Sequence, residues 1–137
     1  MSSKLKIFTD GGSRGNPGPA AVAFIILSED GKVLKSHSRN LGIRTNNQAE
    51  YAALITALTY AKRIGAEEAI CYSDSQLIVK QLTGEYRVKN KALKVLWRQV
   101  HNLKASFKNV DFIYAPRTSQ YIELVDKLVN KSLDSSG

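Results

Sequence analysis

The chain has 137 residues, 43% hydrophobic and 23% charged, which suits one globular domain with a single core. With 20 Lys and Arg against 12 Asp and Glu, the net charge is +8. That surplus favours a polyanionic partner, nucleic acid before an anionic membrane, although a plain basic surface gives the same balance. The lone Cys71 excludes an intramolecular disulfide and fits a reducing cytoplasm. Met1-Ser2-Ser3-Lys4 lacks the apolar core of a signal peptide, and the longest apolar run, Ala20 to Leu27, is far short of the roughly 20 residues that span a bilayer. A soluble cytoplasmic protein is expected.

In chain order, Leu5 to Thr9 reads as a strand closed by Asp10, followed by a turn-rich loop from Gly11 to Pro19 in which Pro17-Gly18 suits a type II turn. Ala20 to Leu27 is continuously apolar, the pattern of a strand covered on both faces. Glu29-Asp30-Gly31 then turns the chain into a strand from Val33 to Leu41. Asn47-Gln48-Ala49-Glu50 resembles a capping box, opening a helix that runs to about Ile64 and stops at Gly65. Ala69 to Ser73 is a short buried strand, Ser75 to Thr83 a short helix, and Lys91 to Phe107 a long helix with Leu93, Leu96, Trp97, Val100 and Leu103 inward. Val110 to Tyr114 is the last strand and Tyr121 to Leu133 the terminal helix. Hairpin strands followed by strands alternating with helices imply an α/β fold with a mixed sheet.

Against this pattern, four acids stand where apolar neighbours are expected: Asp10, Glu50, Asp74 and Asp126. At about 100° per residue, Glu50 falls at the centre of the arc formed by Leu54, Ala57, Ala61 and Ile64. Asp126 lies beside Ile122, Val129 and Leu133, whereas Glu123, Lys127, Asn130 and Asp134 share a solvated face. Asp10 and Asp74 each follow a strand, where ligands collect in open α/β sheets. Each acid has a plainer role open to it. Glu50 could complete the capping box, Asp10 start an Asx turn, Asp74 cap a helix, and Asp126 pair with a nearby Lys. Four ionised carboxylates converging in a partly buried place require cations, and an oxygen-only donor set suits Mg²⁺ or Mn²⁺.

The local words then resemble a known family. Thr9-Asp10-Gly11-Gly12-Ser13-Arg14-Gly15-Asn16-Pro17-Gly18 is similar to the first-strand signature of type 1 ribonuclease H. Thr45-Asn46-Asn47-Gln48-Ala49-Glu50-Tyr51-Ala52-Ala53-Leu54 resembles its second motif, and Tyr72-Ser73-Asp74-Ser75-Gln76-Leu77, continuing to Gly84, its third. The resemblance implies a five-stranded mixed sheet, the first three strands antiparallel, with helices on both faces, as a single domain over residues 1–137. It also implies an endonuclease that cuts the RNA strand of RNA–DNA hybrids, leaving 5′-phosphate and 3′-hydroxyl ends. Metal ligation carries over to Asp10, Glu50 and Asp74, and the Val125-Asp126-Lys127-Leu128-Val129-Asn130 helix word adds Asp126.

Two stretches depart from the family pattern. The loop Pro116-Arg117-Thr118-Ser119-Gln120 lacks the His or Asn common before the last acid, and Arg117 stands far along the chain from Asp126. The basic helix and loop that many bacterial members insert after the third motif is absent. Hybrid contacts then fall to Arg87, Lys89, Lys91, Lys94 and Arg98 or to the termini, although Lys91, Lys94, Arg98 and His101 read equally well as a solvated face.

The resemblance implies hydrolysis with two divalent ions about 4 Å apart, Mg²⁺ or alternatively Mn²⁺. Asp10 would bridge them and the other three acids complete the shells. His37 and His101 are expected to be bystanders. Asn16, Asn46, Asn47 and Gln76 are candidate readers of the 2′-hydroxyl, since amides both donate and accept. Gly11 is a further candidate substrate contact, and Arg14 and Thr45 are candidate phosphate binders. The glycine loop lacks the Gly-Lys-Ser/Thr ending of a nucleotide P-loop. The expected partner is RNA–DNA hybrid, with duplex RNA second, and the expected state a monomer. The alternatives are a non-catalytic hybrid or duplex-RNA binding module of the same fold, disfavoured by acids facing phosphates, and a related DNA nuclease, disfavoured by Asn46, Asn47 and Gln76.

Overall fold

Three strands joined as hairpins open the chain in the computed structural model, which describes residues 3–135: β1 (Lys4–Ser13), β2 (Gly18–Leu27) and β3 (Val33–Arg44). Helix α1 (Asn46–Arg63) leads into β4 (Glu68–Ser73), then α2 (Gln76–Leu82), α3 (Lys91–Lys104), β5 (Asn109–Tyr114) and α4 (Gln120–Ser135). The sheet runs β3-β2-β1-β4-β5, antiparallel across the first three strands and parallel from β1 to β4 and β4 to β5. This is the mixed five-stranded architecture that the family resemblance implied. Among the described residues no helix is long and apolar enough to cross a membrane.

Strand β2 is sandwiched, and its side chains alternate between two cores. Phe24 and Ile26 join Leu5, Ile7, Tyr51, Leu54 and Leu58 beneath α1, α2 and α3. Ala21, Ala23, Ile25 and Leu27 face Val125, Val129 and Leu133 of α4 on the opposite side. Small residues on this second face let α4 settle close to the sheet.

Several boundaries differ from the sequence reading. β1 does not close at Asp10 but continues through Gly11 and Gly12 to Ser13, because these residues pair with Val22, Ala21 and Ala20 of β2. The loop therefore shrinks to residues 14–17, and Gly18 begins β2 instead of sitting in a type II turn. Its φ is not positive, whereas that of Gly15 is 104°. β3 continues past Leu41 to Arg44. The capping box is Thr45 with Gln48, not Asn47 with Glu50: Gln48 N–H donates to Thr45 Oγ1 at 3.1 Å and Thr45 N–H to Gln48 Oε1 at 2.9 Å. Leu54, Ala57 and Ala61 are buried as expected, but Ile64 is the C-cap and 45% exposed, since the helix ends before its inward arc returns. α3 stops at Lys104, with Phe107 still buried beyond it.

Candidate active site

Strand parity decides where the first acid points. Leu5 and Ile7 face α1, so Phe8 and Asp10 face α4. Phe8 pairs with Tyr72 of β4 in parallel register, their rings stacked 4.7 Å apart at 12°. Asp10 and Asp74 each follow this pair by two residues, so the stack sets the two acids level just past the point where the parallel strands stop pairing. Tyr121, at the start of α4, leans on Phe8 with ring centroids 5.1 Å apart, and this fixes the helix that carries Asp126. Opposite Asp10 in the antiparallel pair stands Ala23, small enough to leave room for the cluster.

Glu50 arrives from α1 through a close backbone approach. A Cβ on Gly11 would lie 2.2 Å from the Ala49 carbonyl oxygen and 2.6 Å from Glu50 N, so only glycine lets the first turns of α1 come this near to β1. With the cap formed by Thr45 and Gln48, Glu50 has no capping duty. Asp74 is not an N-cap either, because Ser75 takes that place on α2 and accepts from Ile78 N–H at 3.3 Å.

One carboxylate oxygen each from Asp10, Glu50 and Asp74 lies within 4.8 Å of the others, and all three residues are half-buried. Asp126 joins them along a polar cleft of ≈ 160 Å³, close enough for its charge to act on Asp10. Burial, then the charges of Asp74, Asp126 and Glu50, push the Asp10 carboxyl up to about 8. Burial and the Asp74 charge raise Glu50 to about 7, opposed by a hydrogen bond from the Ser75 side chain. Among the described residues the single cation paired with any of the four is Arg117, whose Nε lies 3.5 Å from Asp74 Oδ2 while its side chain is 81% exposed. The set carries more negative charge than the protein neutralises. Hard oxygen donors so arranged fit divalent cations.

Of the residues assigned to substrate from sequence, Gly11, Arg14 and Asn46 line the same cleft. Arg14 is held at 2.5 Å by Asp134 and reaches the Asn130 carbonyl at 3.4 Å. Asn46 N–H donates to Asn16 Oδ1 at 3.0 Å, and Asn46 Oδ1 accepts from Ser13 N–H at 3.3 Å, so these amides staple the 14–17 loop to the start of α1. Thr45 is the helix cap. Asn47 and Gln76 lie outside the cleft lining. His37 and His101 also lie outside it; His37 packs on Phe24 and His101 on Trp97.

Two residues were missed. Asn130, read as solvated, lines the cleft, and its Nδ2 donates to the Asp126 carbonyl at 3.1 Å and to Asp126 Oδ2 at 3.5 Å; the i, i+4 spacing was the available signal. Arg117 reaches Asp74 across strands. Tyr114 pairs with Ser73 in parallel register, so the loops after β5 and β4 leave the sheet side by side.

Comparison with known proteins fits this geometry. Residues 8–132 match the family described as reverse transcriptase-like. Ribonuclease HI of Halobacterium salinarum is 38% identical over 97% of this chain and 66% of its own length. The solved RNase H1 of that organism superposes with a TM-score of 0.92, covering 96% of this chain and 98% of that one. The chain belongs to the type 1 ribonuclease H family. Another solved member, LC11-RNase H1 in complex with RNA/DNA hybrid, is 38% identical with a TM-score of 0.89, covering 96% and 98% of the two chains. A bifunctional protein of Mycobacterium tuberculosis is 37% identical over 97% of this chain. This ribonuclease H-family chain spans 36% of that protein's length, as it spans 66% of the halobacterial relative.

Proposed function

We propose that the chain is a metal-dependent endoribonuclease that hydrolyses the RNA strand of RNA–DNA hybrids, giving 5′-phosphate and 3′-hydroxyl ends. The observation that carries this reading is the meeting of Asp10, Glu50 and Asp74 oxygens within 4.8 Å, just beyond the last residues paired between β1 and β4. Asp10, Glu50, Asp74 and Asp126 would hold two divalent ions, Mg²⁺ first and Mn²⁺ second. When bound, such ions supply a water acidified for attack and positive charge beside the departing 3′ oxygen.

The chain's own residues have separate tasks. Asp10, which feels the charges of Asp74, Asp126 and Glu50, would be the ligand common to the set, with the Phe8–Tyr72 stack holding its level. Gly11 lets α1 stand close enough to β1 for Glu50 to reach the cleft, and is a candidate backbone contact for the substrate. Asn46 spends its side-chain oxygen on Ser13 N–H, which leaves its amide nitrogen to address a 2′-hydroxyl. Asn16, Asn47 and Gln76 are the other amide readers, and Arg14 and Thr45 the phosphate contacts. The hybrid bound by LC11-RNase H1 supports this choice of substrate, with duplex RNA second. The reading takes residues 1–137 as one catalytic domain acting as a cytoplasmic monomer.

Labelled RNA–DNA hybrid, duplex RNA and duplex DNA incubated with Mg²⁺, beside Asp74→Asn, test the proposal. Losing an outer-shell partner of a metal typically costs about 10–100-fold, so losing a direct ligand should cost at least about a hundredfold in hybrid cleavage, with hybrid binding kept. Undiminished cutting by the variant refutes the site. Equal cutting of duplex DNA refutes the sugar-reading amides.

A further inference from the structure

A second concavity lies on the α1 side of the sheet, between β3 and the outer face of α1, with a volume of ≈ 430 Å³. Small-molecule sites span roughly 300–1,000 Å³, so it has room for one nucleotide-sized group, which the ≈ 160 Å³ acidic cleft does not. Its floor is apolar and aromatic. Phe24 touches both His37 and Tyr60, with ring centroids 5.6 and 5.9 Å apart, and Ile55 lies beside them.

The rim is cationic. Lys35, Arg39 and Arg63 line it with no acidic side chain among them, and among the described residues none of the three makes an ion pair. Lys35 Nζ stands 5.5 Å over the Tyr60 ring, and Arg39 reaches Thr56 Oγ1 at 3.4 Å. Burial, then Lys35 and Arg39, hold the His37 imidazole below its usual value, as an environment without nearby negative charge should. Uncompensated cations around an aromatic floor are the two ingredients of sequence-tolerant single-strand binding: charge for the backbone and π-faces for the bases.

The concavity is separate from the acidic cleft. Thr56, Thr59, Tyr60 and Arg63 follow Glu50 by 6–13 positions on α1. At about 1.5 Å and 100° per residue, that puts them ~9–20 Å further along the axis and ~180–280° around from Glu50. A duplex seated on the acids approaches the other side of this helix.

We propose that the β3–α1 concavity is a second nucleic-acid site that takes one nucleotide unit of an unpaired strand or a free mononucleotide, the base against Tyr60 and His37 and the phosphate on Arg39 and Arg63. This goes beyond the hydrolytic reading and does not depend on it.

The test uses a fluorescein-labelled oligothymidylate and oligouridylate of about twelve nucleotides, within the usual span of single-strand sites, in EDTA so that no cleavage occurs. Arg39→Ala/Arg63→Ala should weaken both by roughly tenfold. It should also flatten the dependence of log K on log[salt] by about 1.4, the expectation for two lost single-strand phosphate contacts. Tyr60→Leu should weaken binding with the salt slope unchanged. Lys127→Ala/Lys131→Ala, which removes the same charge from the exposed face of α4, should change affinity less than about twofold. Arg39 and Arg63 are exposed, so unchanged melting temperatures will show that the fold is kept.

Ring-proton shifts of His37 and Tyr60 separate the two sources of ligand. Saturable shifts with uridine 5′-monophosphate assign the site to free nucleotides, and shifts with the oligonucleotides alone assign it to strands. An equal loss of affinity in the α4 control overturns the proposal. So does saturation of the concavity by an acidic peptide with an aromatic residue when neither oligonucleotide nor mononucleotide binds there.

Discussion

At the scale of single residues, the electrostatics of the acid cluster predict how stability responds to pH. Asp10 is raised to about 8 and Glu50 to about 7, above their values of 3.8 and 4.5. Both groups bind protons more tightly folded than unfolded. Their contribution is fully present below about pH 4 and is lost as pH rises through 7 to 8. The metal-free protein should therefore lose stability across that window, and Mg²⁺ should restore it. Asp10→Asn removes the most strongly perturbed member and should stabilise the metal-free protein at pH 8 by on the order of 1–3 kcal/mol, while making it insensitive to Mg²⁺. Urea unfolding with and without Mg²⁺ reads both effects. An Asp10→Asn protein less stable than wild type at pH 8 in EDTA contradicts the assignment of repulsion to this cluster.

At the scale of elements, the site depends on how near α1 stands to β1 and α2. Gly11→Ala would press a methyl group into the Ala49 carbonyl, so α1 must shift. Overpacking of this kind costs roughly 1–3 kcal/mol, and Mg²⁺ affinity, followed by calorimetry, should fall with it because Glu50 moves away. Tyr51 Oη donates to Gln81 Oε1 at 2.7 Å in the core, and Trp97 Nε1 donates to the Gln81 carbonyl at 3.1 Å, so one residue of α2 ties down α1 and α3. Tyr51→Phe leaves the buried Gln81 oxygen without that donor and should cost about 1–3 kcal/mol in urea unfolding.

Elements with strong periodicity were legible in the sequence to within a few residues. The misreadings came from tertiary pairing overriding local chemistry. Gly11 and Gly12 look like loop residues until β2 supplies a partner strand. Asn47 looks like a cap until Thr45 and Gln48 take the bonds. The inward placement of Glu50 was readable from the helical arc, but the reach of Arg117 to Asp74 was not, because it needs the parallel register of β4 and β5.

For the whole molecule, the sheet order explains why one end of it concentrates negative charge on a chain of net charge +8. β1 and β4 are adjacent and parallel, so both send a carboxylate out of the same edge, while α1 and α4 bring theirs from opposite faces. α4 has a double role here. It covers the Ala21, Ala23, Ile25 and Leu27 wall of β2, and it delivers Asp126. Without that helix, the wall would lie open and the acidic set would be one carboxylate short. Whatever loosens Val125, Val129 and Leu133 from that wall therefore also draws Asp126 away from the cleft.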